Sequence, residues 1–356
     1  MKIFTVNSSP RTGEGSSTEF LLNHLVRGMQ EAGAEVRSVN LKGKSVRPCT
    51  GCFACWTKTP GRCVQKDDMT GDLLPELMRS DLVVYATPLY NHGMNSTMSA
   101  FRERMLPLSQ PFSEKRNGKT ALLTRYPAPP AVWLSVCGAP EYSEFDAFSN
   151  FLNSTNHPDR PIVAEIYRTS SEALRHPAFK NTRKEILDAA TLAGRELVLW
   201  NKVDPETMRR IRQPLTDPEY LTLMGNLTWK ACIAEGIPVQ EFLEKGMIPR
   251  PDSLEAFMAI SVRALNAEGA GDKKLVVQFR FTGQGDASCY FTLEKGTITA
   301  APGTSATCDL RIDTPFELWM DIMTGKADGR ESFLRGGYGI QGDVGIAQKV
   351  FRRKSH

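Results

Sequence analysis

Asn7-Ser8-Ser9-Pro10-Arg11-Thr12-Gly13-Glu14-Gly15-Ser16-Ser17-Thr18 decides the fold of the first half of the chain. It follows a short apolar run, Ile3 to Val6, that reads as a strand. It precedes a pattern in which Phe20, Leu21, Leu25, Val26 and Met29 recur every three or four positions, the period of a helix. Ser16-Ser17-Thr18-Glu19 reads as a capping box, with Gly33 as the stop. The segment is therefore a strand, a loop of hydroxyls and glycines, then a helix N-terminus. Unpaired N–H groups and the helix dipole at that end attract an anion. Arg11 adds a positive fork, and Ser9, Ser16, Ser17 and Thr18 add hydroxyls. The guest this predicts is a phosphate.

The glycine spacing narrows the phosphate ligand. Gly13 and Gly15 begin a G-x-G pattern, but position 18 is Thr, so the dinucleotide fingerprint fails. No G-x-x-x-x-G-K occurs, so the Walker loop fails as well. A hydroxyl-rich loop at this place suits the monophosphate of FMN.

Further strands follow at regular intervals. Glu35 to Asn40 is a second strand. Asp81 to Thr87 is the clearest buried one and is expected to break at Pro88-Leu89-Tyr90-Asn91-His92-Gly93. A helix carrying Met94, Met98, Phe101 and Met105 on one face comes next. Ala131 to Val136 ends at Cys137-Gly138-Ala139-Pro140-Glu141. Phe145 to Leu152 is a short helix, Ile162 to Tyr167 a strand, and Thr182 to Trp200 a long helix with one glycine. Strands alternating with helices predict an α/β fold, a doubly wound parallel sheet of flavodoxin-like order 2-1-3-4-5. In that order ligands sit beyond the carboxyl ends of the strands, at the switch between strands 1 and 3. The loops at Ser8–Ser17, Pro88–Gly93 and Cys137–Glu141 would then share one crevice, with Tyr90 stacking on or rimming a flat ring. His92 reads as a loop residue, and no catalytic acid or base is assigned.

Cys49, Cys52, Cys55 and Cys63 form a C-x2-C-x2-C-x7-C motif. Three thiolates at intervals of three residues can wrap one face of a cubane cluster, and a fourth closes it. Structural zinc more often uses two separated knuckles. A 4Fe–4S cluster, zinc and a site without metal all remain open from the spacing.

Composition bounds the partners. The chain has 356 residues, a formal net charge of +4 and eight cysteines. Two or three domains are expected from the length. A charge this small points to no nucleic-acid partner, and no apolar run reaches membrane-spanning length. The chain opens directly on a strand without a leader pattern, so a cytoplasmic protein is expected. There, clustered cysteines favour metal or redox chemistry over disulfides.

Ser9-Pro10-Arg11, the Cys49–Cys63 motif followed by Asp67-Asp68-Met69, the Thr87-Pro88-Leu89-Tyr90 turn and the Cys137-Gly138-Ala139-Pro140-Glu141 turn together resemble NADPH-dependent FMN reductases. They most resemble the branch called iron–sulfur flavoproteins. The resemblance covers about the first 200 residues and continues weakly to Arg250. It implies a homo-oligomer with FMN on a flavodoxin-like domain. By position it places Ser9, Arg11, Ser16, Ser17 and Thr18 at the phosphate. Pro88, Tyr90, Asn91, Gly93, Gly138 and Glu141 fall around the isoalloxazine, and Cys49, Cys52, Cys55 and Cys63 at a metal cluster. One departure is Phe101-Arg102-Glu103-Arg104, where relatives often carry Lys and Asp-Arg.

Residues 201–253 read as helices broken by Pro205, Pro214, Pro218 and Pro238. From Ser253 the pattern changes. Leu254–Leu265 is a helix. Leu275, Val277, Phe279 and Phe281 alternate like a half-buried strand, as do Cys289, Phe291 and Leu293, and further strands fall at Ile298–Ala300 and Cys308–Ile312. Phe316–Met323 is an apolar helix stopped by Gly325. Antiparallel strands with helices on one face predict an α+β layer. Met323-Thr324-Gly325-Lys326 and Gly336-Gly337-Tyr338-Gly339-Ile340-Gln341-Gly342-Asp343 resemble the sterol carrier protein-like domain, whose fold implies an apolar ligand. The expected bounds are 1–200 for the flavodoxin-like domain, 201–253 for a helical extension and 254–356 for the sterol carrier-like domain.

The expected function is an FMN-dependent oxidoreductase that takes hydride from NAD(P)H. It passes electrons, through a 4Fe–4S cluster if one is held, to an unidentified small-molecule or small-protein acceptor. Two alternatives stand beside it: a non-enzymatic flavin electron carrier or lipid-binding protein, and a cysteine-based redox sensor.

Overall fold

The computed structural model describes every residue except 117, 156–159, 246, 267, 269–270, 272, 284–286 and 352–356. It divides the chain into two units, Met1–Pro218 and Glu219–His356.

The first unit is built on a parallel sheet of β1 (Lys2–Asn7), β2 (Glu35–Asn40), β3 (Leu82–Tyr90), β7 (Ala131–Val136) and β8 (Ile162–Arg168). Their order is β2-β1-β3-β7-β8, with a two-residue strand β4 (Gly93–Met94) on β3. Taken as five parallel strands, this is the expected flavodoxin-like order, reversing between β1 and β3. The central strands β1, β3 and β7 bury both faces, so their side chains divide between two cores, whereas the edge strand β2 is only partly covered. Phe4, Val83, Tyr85 and Trp133 face one core with Met98, Phe101 and Phe148. Ile3, Leu82, Val84 and Val132 face the other with α1 (Ser17–Glu31) and α5 (Lys180–Trp200). The helices α3 (Ser96–Glu103) and α4 (Asp146–Thr155) supply Met98, Phe101 and Phe148.

Two local expectations change. β3 does not break at Pro88 but runs to Tyr90. Ala86 accepts from Ser8 N–H on the β1 side, and the Thr87 carbonyl accepts from Ser135 on the β7 side. The alternation turns Pro88 back toward β1, which has already ended, so its missing N–H costs no ladder bond. The chain then reverses through Asn91 and His92, at φ 48° and 57°, as two left-handed residues between paired Tyr90 and Gly93. The second change is a hairpin of β5 (Ser109–Arg116) and β6 (Lys119–Thr124), which hydrophobic periodicity did not reveal. Its exposed Phe112 and Leu122 break the alternation that would have marked it.

The expected extension at 201–253 is shared between the units. A helix α6 (Pro205–Arg212) buries Ile211 in the first unit's second core, and Arg168 donates to the carbonyls of Ile211 and Gln213. The helices α7 (Pro218–Glu235), α8 (Val239–Glu244) and α9 (Leu254–Ala264) follow, and Leu227 of α7 packs with Ala256 and Ile260 of α9.

The second unit's sheet comprises β9 (Leu275–Thr282), β10 (Ala287–Glu294), β11 (Thr297–Pro302), β12 (Leu310–Pro315) and β13 (Gly339–Gly342), in the order β11-β10-β9-β12-β13. It is mixed rather than wholly antiparallel, because β12 pairs parallel to β9. The helices are α10 (Phe316–Thr324), α11 (Gly329–Leu334) and α12 (Val344–Val350). Phe257, Phe279, Phe281, Phe291, Phe316 and Trp319 form its core.

Candidate functional site

At the carboxyl edge of the first sheet four loops close into a ring. Ser8 N–H donates to Ala86 O at 2.9 Å, and Asn95 Nδ2 donates to Ser8 O at 2.7 Å, joining the loops after β1 and β3. Ser17 Oγ, on α1, reaches Ser171 O at 3.3 Å in the loop after β8. Ser171 and Ser170 N–H donate to Cys137 O and Ala139 O at 2.9 and 2.8 Å, tying that loop to the one after β7. His92 Nδ1 lies 3.4 Å from Glu144, which returns the circuit to the β3–β4 turn. The three loops expected to converge do so. The fourth, Thr169-Ser170-Ser171, is a buried hydroxyl run after a strand, and that same signal was read at Ser8 and Ser9 but not here.

Within the first loop the residues are set for an oxyanion. Ser9, Ser16 and Thr18 are buried, Ser17 is half-buried and Arg11 exposed. Ser16 caps α1 by accepting from Glu19 N–H at 3.1 Å, and its hydroxyl donates to Ser9 at 2.8 Å. The expected capping box is half formed. Glu19 does not return to Ser16 N–H but accepts from Gly13 N–H at 2.9 Å, because Ser16 N–H already bonds Gly13 O. Gly13 turns here with φ 61°. No acceptor among the described residues takes the N–H groups of Ser17 or Thr18, which lie in the open first turn of α1. Buried hydroxyls beside open N–H groups fit a phosphate.

The ring-edge residues are distributed as follows. Pro88 is buried, Gly93 half-buried, and Asn91, Gly138 and Glu141 exposed; Tyr90 is 49% exposed. A Cβ at Gly138 would lie 3.1 Å from Glu172 Oε2, so glycine keeps that corner open. Burial, reinforced by Glu144, pushes the Cys137 thiol up to about 12, so it stays protonated beside the crevice.

Cys49, Cys52, Cys55 and Cys63 line one cavity of about 20 Å³ together with Arg104. Burial raises the Cys55 thiol, and the other three thiols add to the shift, whereas hydrogen bonds from Ala54 and Thr50 lower exposed Cys52. No group of three or more His, Cys, Asp or Glu side chains among the described residues is close enough to hold a metal ion. The donor chemistry suits a cluster, while the convergence of the donors falls short of one.

The doubly wound order and the loops at its carboxyl edge define a flavodoxin-like unit. Residues 1–129 match the family of NADPH-dependent FMN reductases, and residues 262–352 match the SCP-2 sterol transfer family. Among curated proteins, an iron–sulfur flavoprotein of Archaeoglobus fulgidus is 37% identical over 108 residues, 30% of this chain and 46% of that protein. An iron–sulfur flavoprotein of Methanocaldococcus jannaschii is 32% identical over 104 residues, 29% of this chain and 50% of that one. The chain spans about half the length of these curated relatives. Among solved structures, an NAD(P)H:quinone oxidoreductase from Methanothermobacter marburgensis aligns with TM-score 0.42 and 16% identity, covering 55% of this chain and 96% of that one. No helix among the described residues is long and apolar enough to cross a membrane.

Proposed function

We propose that the chain is an FMN-dependent oxidoreductase drawing hydride from NAD(P)H and releasing electrons to a small acceptor. The observation that carries this is the closed ring of four loops around the open N-terminus of α1, two of which, after β1 and β3, fall in the segment 1–129 that matches the FMN reductase family. The chemistry supplied by FMN when bound is hydride acceptance and electron release. The chain's part is to bind and orient. Ser9, Ser16, Ser17, Thr18 and Arg11 would take the phosphate, aided by the N–H groups of Ser17 and Thr18. Pro88, Tyr90, Asn91, Gly93, Gly138 and Glu141 would border the ring.

The test is spectroscopic and kinetic. The purified protein should be yellow, or should take up added FMN, and should oxidise NAD(P)H with a quinone acceptor. Ser9→Ala combined with Ser16→Ala should weaken FMN by about tenfold or more, the loss of one or two hydrogen bonds to a charged group. A colourless protein unable to take up FMN overturns the assignment. Bound FMN without NAD(P)H oxidation would leave an electron carrier.

The cysteine loop is proposed as the ligand set of a 4Fe–4S cluster, supported by four cysteines on one cavity. Iron and sulfide analysis after anaerobic purification decides it, and absence of both ends the reading. For the second unit we propose binding of an apolar ligand, supported by the sterol transfer match at 262–352. Mass spectrometry of solvent extracts should find a co-purifying lipid at near-stoichiometric yield, and its absence together with no uptake of a fluorescent fatty acid refutes the proposal.

A further inference from the structure

A second cavity, of about 330 Å³, lies at the amino ends of β7 and β8, against the face covered by α3 and α4. Ala131 and Ile162, which open those strands, form part of its wall. The flavin crevice proposed above is at the opposite, carboxyl edge.

The chemistry of the lining is one-sided. Arg102 and Arg160 both border the cavity. The Arg102 guanidinium lies over Tyr85 and Trp133, 5.7 and 5.1 Å from their ring centres. No carboxylate or carbonyl among the described residues accepts a hydrogen bond from it. Arg160 Nε is buried without a partner, and so is the indole N–H of Trp133, a third residue of the lining. Among the described residues of the wall the one carboxylate is Glu103, which is exposed and forms no ion pair with either arginine. Burial lowers the pKa of Arg102 from its ordinary value, and the Arg160 charge acts in the same direction.

Two guanidinium groups and an indole N–H sharing one cavity without an acceptor are costly unless something supplies acceptor oxygens and negative charge. An acidic side chain of the fold would have served, and none is placed there among the described residues. Met105, Leu106, Ala128 and Pro129 give the wall an apolar part, beside the hydroxyls of Ser109 and Thr155. The volume is at the lower end for small-molecule sites.

We propose that this cavity binds a small amphipathic organic anion. Its carboxylate or phosphoryl head would meet Arg102, Arg160 and the Trp133 N–H, and its apolar body would lie along Met105, Leu106 and Pro129. Arginine suits such heads because its planar fork donates two parallel hydrogen bonds to one oxyanion. This site is independent of whether FMN or a cluster is bound. It does share Glu103 and Leu106 with the cysteine-lined cavity, so a ligand here would neighbour that loop.

The experiment is calorimetric titration of the 356-residue chain, as purified, in chloride buffer free of phosphate. The probes are phenyl phosphate, phenylacetate and inorganic phosphate. Saturable binding of phenyl phosphate or phenylacetate is expected, with inorganic phosphate weaker because it lacks the apolar body. The stronger of the two aromatic probes identifies the head group. Arg102→Gln and Arg160→Gln should each weaken that probe by about tenfold or more, the loss of a charge-assisted hydrogen bond. Arg160→Lys should recover part of the loss. The Ser9→Ala, Ser16→Ala double variant, at the other end of the sheet, should bind the probe with unchanged affinity. Thermal unfolding with and without the probe reports fold, and native protein should melt higher when the probe is present. Failure of every probe to bind overturns the proposal, as does equal affinity in folded Arg102→Gln and Arg160→Gln proteins. Weakening by the serine variant instead would assign the binding to the α1 loop and equally overturn it.

Discussion

Arg104 and Asp67 face each other with 0% and 1% of their side chains exposed, joined by bonds of 2.6 and 3.0 Å. Arg104 also donates to Arg47 O and Thr70 Oγ1, so one side chain pins both ends of the cysteine loop to α3. Removing the cation would leave a buried carboxylate with two backbone N–H donors and only the more distant Arg47 guanidinium, 3.9 Å away. Arg104→Met should therefore cost about 3–5 kcal/mol in urea denaturation, far more than a surface pair would. Burial pushes the Asp67 carboxyl up, but Arg104 and the N–H groups of Arg47 and Thr70 outweigh it and hold the carboxyl below its ordinary range. A depressed folded-state value means the contribution is present above the unfolded carboxylate pKa of about 4 and is lost as pH falls through the folded value. Acid titration followed by tryptophan fluorescence should show that loss, and Arg104→Met should lack it. Two other thiols are equally determined by place. Cys137 and Cys289 are each pushed up to about 12 by burial, whereas Cys308 is exposed. Brief alkylation of native protein at neutral pH, mapped by mass spectrometry, should label Cys308 and spare Cys137 and Cys289.

Between elements, α1 and α5 cross closely at two glycines. A Cβ at Gly28 would lie 1.8 Å from Thr191 O, and one at Gly194 would lie 2.0 Å from Leu25 O. Neither contact involves a flexible side-chain end, so an added methyl must drive the helices apart. Gly194→Ala should then destabilise by about 1–3 kcal/mol, despite alanine's better helix propensity, as read from the urea midpoint at constant slope. Periodicity revealed both helices, and Gly194 was visible as the one glycine in a long helix. That it marks a backbone crossing was not visible, because the partner, Leu25, is far away in sequence. The turn at Asn91-His92 shows the same division. Sequence marked a loop at Pro88–Gly93, yet the end of β3 depended on which neighbour Pro88 faces.

The whole molecule divides at Pro218, with separate cores in each unit. A chain ending at Pro218 retains both cores of the first unit and all four loops of the crevice. It should take up FMN with the affinity of the full chain, measured by quenching of flavin fluorescence. Loss of uptake would mean that residues beyond 218 complete the site. The sequence by itself determined the alternation of strands and helices, the hydroxyl loop and the change of character after Ser253. Those are set by local period, capping and turn chemistry, which act over a few residues. Only the tertiary structure decided the fourth loop at Thr169–Ser171, the sharing of 201–253 between two units and the meeting of Arg102 with Arg160. Each depends on segments distant in the chain packing side by side, and short-range pattern carries no record of which distant side chains will share a cavity.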